Sequence, residues 1–182
     1  SFSGTLALEG YSVQLDPSRG PVFGPAERSV QASAAQGEWG ALGDGGGVVD
    51  GTVRDILVDG ENIYIAGDFP NLANIPEADY IAKWDGTKWS ALGGTGWGDG
   101  AFNNSIYSLA MIGTDLYAGG TFGGVTNGTT AVTTADFIAK WDGTKWSGLG
   151  SDGAGGGALN NIVRDIAASG SNLYVAGAFT DV

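Results

Sequence analysis

Acidic residues in glycine-rich loops are the residues of this chain best suited to hold an ion. Asp44, Asp50, Asp99 and Asp152 all lie in such loops. Calcium takes several oxygen ligands from flexible carboxylate and carbonyl sources, so calcium is the one cofactor that these loops suggest. They lack the spaced Asp/Asn pattern ending in Glu of an EF-hand. Asp in an Asx turn explains the same residues without a metal, and both readings stay open.

Trp97 is the candidate for a ligand-stacking residue. It lies in segment 94–100, which reads GTGWGDG, and the flanking glycines would leave its ring exposed. An exposed Trp suits stacking on a sugar ring. Asp99 from the same segment, with Asn127 and Thr129 from segment 123–135, completes the predicted ligand-binding residues. The alternative is that Trp97 caps a neighbouring structural unit.

Two N-glycosylation sequons begin at Asn103 and Asn127. Each follows the Asn-x-Ser/Thr pattern that marks a surface loop in a secreted protein. These sequons carry a glycan only if the organism that makes the protein attaches N-linked glycans.

Catalysis is disfavoured by the residue types that the chain lacks. It contains no His and no Cys, which removes imidazole bases and thiolate nucleophiles. Paired carboxylates could still serve a glycosidase. However, the WDGTKW segments match the Ser-x-Asp-x-Gly box of sialidase propellers poorly, and the four Arg residues are scattered. We therefore predict a non-enzymatic protein without catalytic residues, with a glycosidase-type propeller as the less favoured alternative.

Internal repeats show which elements must position these residues. Residues 81–90 read IAKWDGTKWS, and residues 138–147 repeat them unchanged. Three further segments also recur. The first lies at 53–56, 106–109 and 163–166, and the second lies at 64–69, 117–122 and 174–179. The third, Trp-x-Ala/Gly-Leu-Gly, recurs at 39–43, 89–93 and 146–150. This self-similarity predicts a diverged first repeat (1–43), a second (44–93), a third (94–150) and a half repeat (151–182).

Each repeat reads as four short strands. Asp59-Gly60 and Asp85-Gly86 both lie between apolar runs, which is typical of hairpins because Gly accepts positive φ. We predict an all-β fold of tandem four-stranded antiparallel meanders resembling β-propeller blades, which take about 40 to 50 residues each. The alternative is a β-solenoid. The half repeat would contain the first two strands alone.

The repeat unit resembles a known family. Ile-Ala-Lys-Trp-Asp-Gly-x-x-Trp-Ser-x-Leu-Gly, followed by an aliphatic strand and Tyr-x-Ala/Gly-Gly-x-Phe, is similar to the kelch-like propeller repeats of fungal Rax2-type cortical polarity markers. The likeness covers about residues 37–182. It implies a propeller, an extracellular or cell-surface location, and a role in surface architecture or adhesion. It brings no catalytic residue.

The repeated residues also carry structural expectations. The tryptophans of each IAKWDGTKW segment should pair across a hairpin. Gly67 and its equivalents should permit close backbone approach, and Phe69 and its equivalents should fill the gap between repeats. Arg54 and Asp55 should leave opposite faces of a strand, with ion pairs between repeats as their expected use.

The net charge and the length of the apolar stretches limit the classes of partner that the sequence predicts. The net charge is −12 with only 8 basic residues, which disfavours binding to nucleic acid or to anionic membranes. No apolar stretch reaches the roughly 18 residues needed to span a bilayer, and no signal peptide is visible at Ser1. The open edge of the half repeat predicts pairing with copies of the chain, with later strands of a longer parent, or with another protein. A glycan remains the alternative partner.

Overall fold

The computed structural model describes residues 11–16, 20–25 and 49–180 of the 182-residue chain, with side chains from residue 49 onward. The chain divides into two compact units, Ser1–Gly40 and Ala41–Val182. In the first, strands β1 (Tyr11–Asp16) and β2 (Gly20–Pro25) form an antiparallel hairpin. Most of the predicted first repeat (1–43) lies outside the described residues, as does Asp44 at the start of the predicted second repeat.

The second unit contains two four-stranded antiparallel sheets and a further hairpin. In the first sheet, strands adjacent in the chain are adjacent in space: β3 (Thr52–Asp59), β4 (Asn62–Asp68), β5 (Ile81–Trp84) and β6 (Trp89–Ala91). The connection between β4 and β5 contains a 3-10 turn, Leu72–Asn74. The predicted meander of the second repeat is therefore confirmed.

The second sheet repeats this order with one insertion. Its strands are β7 (Ile106–Ile112), β8 (Asp115–Gly120), β11 (Ile138–Trp141) and β12 (Trp146–Ser147). A small hairpin of β9 (Thr126–Asn127) and β10 (Thr130–Ala131) lies between β8 and β11. Strands β13 (Val163–Ser169) and β14 (Asn172–Gly177) pair as the last hairpin. The described residues contain no α-helix, so the all-β prediction is confirmed for them.

Tryptophan pairs hold the outer hairpins together. Trp84 faces Trp89 across β5 and β6 with ring centroids 5.5 Å apart, and Trp141 faces Trp146 at 5.3 Å. Such cross-strand aromatic pairs add to sheet stability. The expected pairing is confirmed in both repeats.

Strands β3, β7 and β13, each the first strand of a repeat that the structure describes, contain a β-bulge. The register shifts between Val53 and Asp55, and equivalent shifts occur in β7 and β13. A bulge inserts one residue and redirects its side chain. Arg54 consequently bonds Asp68 of its own repeat. The expectation that Arg54 forms an ion pair between repeats is wrong, because the bulge turns its side chain toward β4.

Of two repeated positions, the glycine behaves as the sequence predicts. A Cβ on Gly67 would collide with the backbone oxygen of Thr52, and one on Gly120 would collide with that of Ser105. Only glycine allows these strands to approach so closely. Phe69 and Phe122 are fully buried, whereas their equivalent Phe179 in the last hairpin is half-buried. Phe69 packs among residues of its own repeat, so the expectation that this position fills a gap between repeats is not confirmed.

The sheets of neighbouring repeats pack against each other in the core. Tyr64 and Ala66 of β4 belong to the same buried cluster as Leu116 and Ala118 of β8. The Trp146 ring joins this cluster and donates its Nε1–H to the Leu92 backbone oxygen at 2.6 Å. Burial of these apolar faces holds one repeat on the next.

Candidate functional site

The loop of residues 94–100 presents the Trp97 ring to solvent. The Thr95 hydroxyl accepts the backbone N–H groups of Trp97 and Asp99 at 3.2 and 3.4 Å. Gly96 and Gly98 take φ of 78° and 93°, conformations that other residues rarely adopt. The loop therefore turns tightly around Thr95 and leaves the Trp97 side chain 83% exposed. The predicted exposure of this ring is confirmed.

The hairpin β9–β10 adjoins this loop. The Gly128 N–H donates to the Gly94 backbone oxygen at 2.8 Å, and the Thr126 N–H donates to the Ala101 backbone oxygen at 2.9 Å. Thr129 is exposed at the hairpin tip. The structure thus brings three predicted ligand residues, Trp97, Asp99 and Thr129, onto two adjoining loops.

Asn127 has a structural use in the same hairpin. Its Oδ1 accepts the Trp146 backbone N–H, and its Nδ2 donates to the Trp146 backbone oxygen, both at 2.8 Å. The amide thereby continues the hydrogen-bonding pattern at the outer edge of β12. Because both polar atoms of the side chain are engaged, we leave Asn127 out of the ligand surface proposed below.

A cavity of about 400 Å³ lies beside the Trp97 loop. Its wall includes Thr95 and Asp99 from the loop, Asp79 and Tyr80 before β5, and Phe102 after the loop. It therefore combines an aromatic side with carboxylate and hydroxyl groups, the mixture that small-molecule sites use for shape and orientation.

Asp79 joins two loops beside this cavity, although it is not among the site residues that the sequence predicts. Its Oδ2 accepts the Gly100 N–H at 2.9 Å, and its Oδ1 accepts the Asn71 N–H at 2.7 Å. Asp136 takes the equivalent place in the third repeat and accepts the Gly157 N–H at 3.2 Å. A repeated signal was present in the sequence, because Ala-Asp and an aromatic residue precede Ile-Ala-Lys-Trp in both copies.

A second cavity, of about 480 Å³, occupies the equivalent position in the next repeat. Asp136, Phe137, Asp152 and Leu159 are among its lining residues. The position of Trp97 in this loop is taken by Ala154. The two cavities therefore share a scaffold, but the exposed aromatic ring accompanies only one of them in the described residues.

The acidic residues suggested for calcium are distributed over separate loops. Asp50 and Asp99 are exposed, and Asp44 lies outside the described residues. The Asp152 carboxylate accepts the Ala154 and Gly156 N–H groups at 2.7 and 2.9 Å, and these bonds lower its pKa. Among the described residues, no three acidic, His or Cys side chains are grouped to hold a metal ion. A calcium site stays a prediction.

Asn103, the first sequon residue, fastens one loop to another. Its Oδ1 accepts the Gly123 N–H at 3.1 Å. The equivalent Asn160 accepts the Thr180 N–H at 2.9 Å in the last hairpin. Asn103 nevertheless lies exposed at the surface, so the sequon itself stays a prediction.

Carboxylates with a lowered pKa elsewhere cap turns or pair with arginine. The Thr87 hydroxyl and the Lys88 and Thr87 N–H groups hold the pKa of Asp85 down at about 2. Asp142 has a pKa of about 2 for the same reason in the third repeat. The Arg54 guanidinium lowers the pKa of Asp68. These shifts come from structural hydrogen bonds within turns and strands.

Two sequence comparisons found no relative of this chain. No protein-family model matches the chain, and no curated protein is similar to it in sequence. Within the described residues, no helix is long and apolar enough to cross a membrane.

Proposed function

We propose that this chain is a non-catalytic repeat scaffold of the extracellular space or cell surface that binds a partner protein through the loop surface around Trp97. The exposure of the Trp97 ring carries this proposal. The tryptophans of the two outer hairpins pack in pairs, whereas Trp97 is 83% exposed on a loop with its own hydrogen bonds. Exposed aromatic residues are frequent anchors of protein interfaces.

The proposed architecture of the scaffold is β-propeller-like. The antiparallel meander of each repeat and the face-to-face packing of successive sheets support it. Propellers repeat four-stranded sheets radially. In a β-solenoid, neighbouring coils would pair through extended ladders, whereas the four-stranded ladders here lie within single repeats.

The kelch-like resemblance and the composition support the proposed location. Repeats of this type imply surface architecture or adhesion, and a net charge of −12 helps to keep a β-rich chain soluble. The proposal needs no catalytic residue.

Carbohydrate binding is the second candidate, favoured by the cavity next to the Trp97 loop. Asp79, Thr95 and Asp99 offer hydrogen-bonding groups there, and a sugar face could stack on the Trp97 ring. Such a site would use the same loop but a smaller ligand.

The test compares Trp97→Ala with Leu149→Ala, which truncates another exposed hydrophobic residue. Both variants and the unmodified chain are immobilised and probed with a glycan array and with surface proteins of the source organism. We expect a protein that binds the unmodified chain and Leu149→Ala and is lost with Trp97→Ala. A glycan signal with the same dependence would favour the second candidate. Binding that is indifferent to Trp97 would reject both.

A further inference from the structure

The repeats join through one recurring pair of faces. We call the side of β3–β4 that contacts the third repeat its rear face, and the side of β7–β8 that receives it a front face. Leu57 and Tyr64 lie directly opposite each other on the rear face of β3–β4, and both pack in the cluster that contains Leu109 and Leu116 of the front face. The next junction repeats this arrangement. Ala110 and Tyr117 on the rear of β7–β8 pack with Ile166, Leu173 and Val175.

A side-chain acceptor marks each junction. The Asp55 carboxylate on the rear face accepts the Leu109 N–H of the next repeat at 2.6 Å. At the following junction the Ser108 hydroxyl accepts the Ile166 N–H at 3.2 Å. Asp55 and Ser108 hold the same position in their repeats, as do Leu109 and Ile166. One acceptor and one backbone donor therefore set the register of each contact.

The last hairpin leaves the equivalent rear face exposed. Ala167 lies opposite Tyr174 and Asp165 lies opposite Ala176, in the same register as the buried pairs of the earlier repeats. Tyr174 is 59% exposed, whereas its equivalent Tyr64 is 8% exposed. Asp165 lies at the acceptor position, and its carboxylate receives the Ser108 hydroxyl.

The front face of β3–β4 is exposed as well. Ile56 and Val58 are 60% and 66% exposed, although Leu109 and Ile166, which hold the position of Ile56 in the next two repeats, are buried. The Ile56 N–H, at the donor position of the junction, bonds the carboxylate of its own neighbour Asp55. Residues 49–180 thus display both halves of the internal junction, apolar on the front and with an acceptor at the rear.

We propose that a second copy of this chain docks head to tail, with its β3–β4 front face on the rear face of the β13–β14 hairpin. Tyr174 covers Ile56 and Val58 of the second copy, and Asp165 accepts its Ile56 N–H. The occupant is set by the two internal junctions, because the face that covers Tyr64 and Tyr117 is the one that β3–β4 still exposes. A contact of this kind uses two different surfaces, so it extends to a ring or a filament.

One position differs from the internal junctions. Arg54 lies over the Tyr107 ring at 4.5 Å inside the chain, whereas at the new junction Arg164 meets Arg54 of the second copy. Arg54 already pairs with Asp68, which reduces this repulsion. Copies of net charge −12 also repel each other, so added salt should strengthen the association.

The experiment measures mass by light scattering and sedimentation, from low micromolar to several hundred micromolar chain. The unmodified chain is expected to associate with rising concentration. Ile56→Asp spoils the front face and Tyr174→Asp spoils the rear face, and each alone should weaken association by about a hundredfold or more. Both residues are more than half exposed, so thermal melts should show that the variants stay folded.

Mixing the two variants gives the decisive result. Ile56→Asp retains a sound rear face and Tyr174→Asp retains a sound front face, so an equimolar mixture should form a dimer of one copy of each and nothing larger. Leu149→Asp places the same charge on another exposed hydrophobic residue outside both faces and should associate like the unmodified chain. The proposal is overturned if the unmodified chain stays monomeric throughout, if the mixture stays monomeric, or if Leu149→Asp is as disruptive as the face variants.

Discussion

The Asp55 carboxylate accepts the backbone N–H of Leu109 at 2.6 Å and so joins the first strands of the second and third repeats. The two residues are 54 positions apart in the chain. This contact combines a charged acceptor with a backbone donor of a buried residue, which makes it stronger than a neutral hydrogen bond.

Removing the acceptor should destabilise the chain measurably. Asp55→Ala leaves the Leu109 N–H without its partner, and we expect the free energy of unfolding to fall by about 1–3 kcal/mol. Asp55→Asn keeps an acceptor oxygen and should recover part of this loss. Urea unfolding measures both, with exposed Asp50→Ala as the control. Equal stability of Asp55→Ala and Asp50→Ala would contradict the assigned role.

Asn127 and Thr129 should respond differently to truncation, although the sequence grouped them in one site. Asn127→Ala removes two hydrogen bonds to the Trp146 backbone and should cost about 1–3 kcal/mol of unfolding free energy. Thr129→Ala alters an exposed hairpin tip and should stay within about 0.5 kcal/mol of the unmodified chain. Thermal melts decide, and a large effect at Thr129 would show that the tip has a structural role.

The two DGTK turns predict an acid-sensitive stability. The pKa of Asp85 and that of Asp142 are lowered from 3.8 to about 2 in the folded chain. A carboxylate with a lowered folded pKa stabilises the fold above its unfolded pKa, and that contribution is lost as pH falls through the folded pKa. Stability should therefore decline between 3.8 and about 2 on the pH scale.

The double variant Asp85→Asn, Asp142→Asn tests this decline. Its unfolding free energy should change less over that pH range than that of the unmodified chain, while Asp50→Asn should follow the unmodified chain. Urea unfolding at a series of acidic pH values gives the comparison. Parallel curves for all three proteins would refute the pH dependence assigned to these turns.

Glycines at the end of β8 should differ according to their surroundings. Gly120→Ala forces a Cβ against the Ser105 backbone oxygen and should cost about 1–3 kcal/mol. Gly123→Ala meets nothing within 4 Å and should be neutral or stabilising by up to about 1 kcal/mol, because alanine restricts the unfolded chain. Melting temperatures of the pair measure the difference. Similar melting temperatures would contradict the close approach of β7 and β8.

The segments between the second and third strands show where the sequence interpretation needs revision. Residues 123–135 vary between repeats, and such variation on a repeated scaffold predicts a separable binding loop. Val125 and Ala135 are buried in the core, and Asn127 supports β12. Deleting the whole segment should therefore unfold the third repeat. The longest exposed stretch of the segment is residues 128–131, at the tip of the β9–β10 hairpin.

The sequence by itself determined the local features: strand order within repeats, Asp-Gly hairpins, tryptophan pairs and glycines at close approaches. Each depends on residues that are near in the chain, where alternation and turn chemistry act directly. The tertiary structure alone decided the partners of Arg54, Asp79 and Asn127. A bulge displaced Arg54 from the expected alternation. The partners of Asp79 and Asn127 lie up to 21 residues away, on another loop and on strand β12. Such contacts depend on how one sheet packs against the next, which no spacing within a single strand encodes.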